Sequence, residues 1–156
     1  MKYAFALTVF VVTLGSSGCR ASSPQAKVRS SNQEAEVVAI GLAHFLHGRT
    51  LTADSIYIDV DRIDWHVVLE RAKLEQPRIG FKSGRGYEVR GKALIDKETG
   101  MPCYAVSVEL LKFSATTAMI RIDFVSRNLG MEEEFQKLRK AGNQWTVVEV
   151  VQGDIP

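Results

Sequence analysis

The chain is short of the residues that carry chemistry. It has two cysteines, three histidines and four prolines in 156 residues. No His-Glu-x-x-His, no Cys-x-x-Cys pair, no nucleophile elbow and no Walker loop occurs. A zinc site needs at least three protein ligands, and the histidines are only His44, His47 and His66. Charge of one sign is lacking too. Lys and Arg number 20 against 18 Asp and Glu, which gives no general argument for nucleic acid or a strongly acidic partner. Long apolar runs are absent apart from one at the start. Length bounds the rest: there is room for one ordinary domain and not for two.

The apolar run is Tyr3 to Leu14. Lys2 gives it a positive flank, and Gly15, Ser16, Ser17 and Gly18 follow as small residues before Cys19. This order is that of an export signal. The run is too short to span a bilayer comfortably, which takes about 20 apolar residues. An uncleaved N-terminal anchor and ordinary signal cleavage are the rival readings. At Cys19 the segment resembles a bacterial lipoprotein signal. The resemblance implies that residues 1–18 are removed and that Cys19 becomes the N-terminus, carrying diacylglycerol and palmitate. It implies an exported protein of the cell envelope, held to a membrane by lipid. Only Lys2 among charged residues is lost with the signal, leaving 19 basic and 18 acidic residues, a net +1. With Cys19 lipidated, Cys103 has no partner, so no disulfide supports the core. Cys103 then reads as a small buried apolar residue in a strand; a reactive thiol is the alternative.

Residues 20–33 are Ser-rich without a hydrophobic period and read, with Cys19, as a flexible tether reaching roughly 20 Å. One domain over residues 34–156 follows. The period of Val37, Val38, Gly41, Leu42 and Phe45 predicts a helix from Glu34, with Gly48 as its stop. Ser55–Val60 alternates as a strand. Asp64 to Gln76 reads as a second helix, with Asp61 or Asp64 as N-cap, Pro77 as terminator, and Trp65, Val68, Leu69 and Ala72 inward. The glycines and charges of residues 77–100 predict loops around short extended pieces. Tyr104, Val106, Val108 and Leu110, then Ile120, Ile122 and Phe124, mark two strands, and Gly142-Asn143 joins two more. The expected class is α+β: two N-terminal helices packed on a C-terminal antiparallel meander of three to four strands. Gly142, Trp145, Val147 and Val150 in the closing strand resemble small exported domains of the cystatin-like or nuclear-transport-factor-2-like type. That resemblance implies an architecture and no role for any residue.

Each candidate site has a plainer reading beside it. His44 and His47 lie three apart on a helix and could share a metal, but the solvent edge of that helix accounts for them. Asp59, Asp61 and Asp64 resemble part of a calcium loop without its glycine turn or distal Glu; a strand end and a helix cap explain them. Asp64, His66 and Glu70 do not share one helix face. No metal, cofactor or catalytic residue is therefore assigned, although an enzyme with dispersed active-site residues stays open. Residues 78–92 gather Arg78, Lys82, Arg85, Arg90 and Lys92 around Phe81 and Tyr87. Gly84 and Gly86 give this segment the look of a phosphate cradle without the required spacing. It reads as either a solvated basic hairpin or an interaction surface. The expected role is a non-catalytic binding module, with an envelope protein or an anionic surface as partner besides the membrane reached by lipid. The alternatives are a small enzyme or ligand-binding module with a pocket between helices and sheet, and a structural component of the envelope.

Overall fold

The computed structural model describes residues 24–74 and 79–153, with side chains of the first helix from residue 32 on. The signal, Cys19, Pro77 and Arg78 lie outside the described residues.

A first helix, α1 (Pro24–His47), leads to strand β1 (Ser55–Val60), helix α2 (Trp65–Ala72) and strands β2 (Gly80–Ser83), β3 (Tyr87–Arg90) and β4 (Ala93–Asp96). Strands β5 (Cys103–Phe113), β6 (Thr117–Val125), β7 (Met131–Ala141) and β8 (Gln144–Gly153) follow. Six of them form one sheet in the order β2-β1-β5-β6-β7-β8, and β3 pairs with β4 in a separate two-stranded sheet. β1 runs parallel to both β2 and β5, whereas β5 to β8 form an antiparallel meander. The class is α+β. Two parts of the expected architecture are corrected. The helices do not both precede the strands, because β1 lies between them, and the described residues hold eight strands rather than three or four. The strands outside the meander lie in residues 55–96: β1, which its alternation marks, pairs parallel with β2, and β3 pairs antiparallel with β4 in the glycine-rich stretch expected as loops around short extended pieces.

α1 starts ten residues before its hydrophobic period does. The Ser-rich stretch from Pro24 to Gln33 is helical backbone rather than extended chain, with proline at the first position, where its missing N–H is not needed. From Ala35 onward the helix buries Val37, Val38, Ala39, Leu42, Phe45 and Leu46. These pack on the sheet face made by Ile56, Ile58, Val106, Val108, Ile120, Ile122 and Phe124. Gly41 sits where the helix comes closest: a Cβ there would stand 2.0 Å from Ile120 Cδ1 and 2.8 Å from Gln136 Oε1. The gap lets Gln136 Nε2 donate to the Gly41 carbonyl at 3.2 Å.

α2 is capped by Asp64, whose carboxylate accepts from the His66 N–H at 2.9 Å. It ends at Ala72, with Lys73 in the left-handed region, four residues short of Gln76. The Gly142-Asn143 turn joins Ala141 to Gln144 as expected, with Gly142 at φ 60°. Trp145, just past the turn, is buried beside Phe113, ring centroids 5.9 Å apart.

Candidate functional site

Alternation in β1 sends Ile56 and Ile58 to the helices, and therefore sends Ser55, Tyr57 and Asp59 to the opposite face. The β3–β4 hairpin covers that face over β1 and the start of β5. Tyr57, Leu94, Cys103 and Ala105 are buried there as a second, smaller core, with Tyr87 and Val125 against it.

The hairpin is held by a buried carboxylate. Asp96, at the end of β4, is fully buried. Its Oδ2 accepts from Ser55 Oγ at 2.9 Å and from Lys82 Nζ at 2.7 Å. Its Oδ1 accepts from the Glu98 N–H at 2.9 Å and the Thr99 N–H at 3.3 Å, closing the turn after the strand. Lys82 also reaches Glu98 at 2.7 Å. Burial pushes the Asp96 carboxyl up, but the hydrogen bonds from Lys82, the Glu98 amide and Ser55 outweigh it and hold the group well below the usual carboxylate range. The hydrogen bonds to Asp96 and Glu98 raise Lys82 well above the usual lysine range. Burial, and then Asp96, raise Tyr57 above the ordinary phenol value. Cys103 is fully buried beside this group, and burial pushes its thiol up to about 11. Burial and the raised pKa both disfavour the thiolate, the reactive form.

Beside this latch the hairpin stands off the sheet and leaves a cleft of about 90 Å³. Tyr57 and Tyr87 meet edge to face at 5.3 Å on one side. Asp59, Ser107 and Asp123 come from the sheet and Arg85 from the loop between β2 and β3. That loop lies flat on Tyr57, because a Cβ on Gly86 would come within 2.7 Å of the ring. Asp123 also meets Arg121 at 3.4 Å. The cleft can therefore hold one polar or charged group against two aromatic rings, with charges of both signs at its rim.

The structure splits the basic segment that the sequence brings together. Phe81 points to the helix side and packs on the main core. Lys82 is consumed by Asp96 and Glu98. Arg90 pairs with Glu88 on its own strand. Lys92 is exposed in the two-residue turn of the hairpin. Among the described residues of the segment, Arg85 and Tyr87 come together at the cleft. The residues that sequence reasoning missed are Ser55, Tyr57, Asp96 and Asp123; Asp59 was weighed only as part of a calcium loop. One signal was available for Tyr57: a large ring at a nominally polar position of an alternating strand implies a second covered face.

His44, His47 and His66 are all exposed. Among the described residues, no group of three or more His, Cys, Asp or Glu side chains is placed to hold a metal ion. Among them, no helix is long and apolar enough to cross a membrane. No protein-family model matches the chain, and no curated protein and no solved structure matches it.

Proposed function

We propose that the chain is an exported envelope module, anchored by lipid on Cys19, that binds a protein partner without catalysing a reaction. The order of Lys2, the Tyr3–Leu14 run, the small residues and Cys19 supports the address. The observation that carries the binding role is the cleft: Arg85, Asp59 and Asp123 ring two tyrosines. Its size favours a single side chain over a metabolite, since small-molecule sites run to about 300–1,000 Å³. The pairing of Lys82 and Arg90 takes two of the segment's five positive charges, which favours a protein over an anionic surface by weakening the draw on one. A photo-crosslinker at Ser107, on the exposed rim, should capture a discrete envelope protein from detergent-solubilised membranes. Arg85→Glu and Asp59→Lys should each reduce that adduct several-fold. An adduct insensitive to both substitutions sinks the docking role. Intact mass of the membrane fraction tests the address separately, and an unmodified Cys19 would sink it.

A second reading, a ligand pocket between α1 and the sheet, rests on one observation. Glu134 and Gln136 are buried on the helix side, bonded to each other at 2.6 Å, and Gln136 Oε1 has no hydrogen-bond partner. If Gln136→Leu keeps every binding activity and gains stability, these groups are packing and the pocket reading falls.

A further inference from the structure

The two ends of the main sheet are unlike each other. β2 is a four-residue edge with Lys82 folded inward, whereas β8 is an edge of ten residues. Short strands, inward charges and β-bulges are among the devices that keep edges from pairing. β8 has neither of the first two, and its one bulge lies at Val148, leaving the end of the strand regular. Its one charge, Glu149, is taken up by Lys137 at 3.3 Å, and it holds no lysine and no proline. Val148, Val150 and Val151 are 50%, 41% and 52% exposed. A shallow groove of about 170 Å³ lies on the open face of β6, β7 and β8, between Met119, Phe135 and Val151. An exposed strand rich in valine, with little charge, is a template for another strand.

We propose that β8 pairs antiparallel with β8 of a second copy about a two-fold axis at Val150. The proposal is independent of the cleft, which lies at the other end of the sheet. The occupant is a second copy because the strand is complementary to itself. Side chains on one face must meet across the axis, so the centre falls on a residue. Centring on Val151 would set Glu149 against the second copy's Gly153. Glu133 leans over that glycine, where a Cβ would touch its carboxylate, so two carboxylates would meet. Centring on Val150 sets valine against valine, and Glu149 against the second copy's Val151, with Lys137 still at hand. Val150 pairs with Gln136 and Val151 with Phe135 within each copy, so both faces of the new pair continue rows already built. About Val150, Glu149 to Val151 pair within the regular stretch of both copies, and Gln152 and Gly153 meet Val148 and Val147, where the bulge opposite Lys137 and Leu138 lies. A closed two-fold joins two six-stranded sheets into one and leaves only the short β2 edges.

Sedimentation of the full chain in detergent should show a dimer. Val150→Lys should give a monomer with unchanged far-ultraviolet circular dichroism, and Val151→Glu should do the same should the first variant fold poorly. Under oxidation, Val150→Cys should crosslink two copies efficiently. Glu149→Cys, which faces Val151 across the axis, should do so at least several-fold less, in the same background of Cys19 and Cys103. A monomeric wild type, a dimer unaffected by both charge substitutions, equal crosslinking of the two cysteine variants, or open-ended filaments would each overturn the proposal.

Discussion

On β1 and at the start of β5, four consecutive residues are buried, Ser55 to Ile58 and Cys103 to Val106. On β6 burial alternates from Ala118 to Val125. The backbone is the same; the number of covered faces differs. Helices cover one face of the whole sheet, and the β3–β4 hairpin covers the other only over β1 and the start of β5. A strand covered twice loses its alternation, and one covered once keeps it. The two halves are also held differently. The meander half rests on apolar packing against α1, and the hairpin half on a buried carboxylate with four donors. The first should fail gradually with lost area, and the second locally, with lost charge.

The largest expected effect lies in the meander half. Trp145→Ala should cost about 3–5 kcal/mol in urea unfolding, as truncations of large core aromatics do. A midpoint that barely moves would mean that Trp145 does not tie β8 to the core. Gly41→Ala tests the closest helix–sheet approach. Its Cβ would collide with Ile120 and Gln136, and overpacking of this kind costs about 1–3 kcal/mol. An unchanged or raised melting temperature would show that α1 can shift freely.

The latch should break without taking the meander with it. Lys82→Met, or Asp96→Asn, should raise amide exchange in β3 and β4 while β6 and β7 keep their protection. Equal loss in both halves would refute the comparison. The pH dependence has a definite sign. The Asp96 carboxyl is depressed, so its contribution is whole above the ordinary value of about 3.8 and is lost as pH falls through its lower folded value. Lys82 is raised, so its contribution is whole below about 10.5 and is lost only in stronger alkali. Hairpin protection should therefore stay flat through neutrality and fall only in strong acid. The smallest effect belongs to the open face, where Lys137→Ala breaks an exposed pair with Glu149 and should cost about 0–1 kcal/mol. A larger loss from the dimeric protein than from the Val150→Lys monomer would tie that pair to self-association.

What was legible in the sequence was what local chemistry decides. The Asp64 cap, the alternation of β1 and β6, and the Gly142-Asn143 turn each depend on a few neighbouring residues. The start of α1 was not legible because its first turns are polar, and a polar helix carries no apolar period. The end of α2 was misplaced because Lys73, a good helix former, adopts a left-handed conformation. The latch joins Ser55, Lys82 and Asp96 from three strands, two of them in parallel contact, and no spacing announces it. Reading residues 78–92 as one basic patch failed to anticipate Glu88 and Glu98, whose carboxylates fold back onto Arg90 and Lys82.

The parallel contact between β1 and β5 sets a folding order. Ser55 pairs with Cys103 and Val60 with Val108, so a chain of roughly fifty residues must close before that contact forms. The β7–β8 turn needs two residues. Loop closure of this length is entropically costly and slow compared with a hairpin. The meander should therefore assemble first and present one bare flank of β5. β1 adds next, and the hairpin docks last, since its anchor Ser55 arrives only with β1. Pulse-labelled exchange during refolding should protect β6 and β7 amides before those of β1, and those of β3 and β4 after both. Until β1 arrives, the flank of β5 from Cys103 to Val108 is a second open pairing edge beside β8, so misassembly during refolding should grow with protein concentration most steeply at that step.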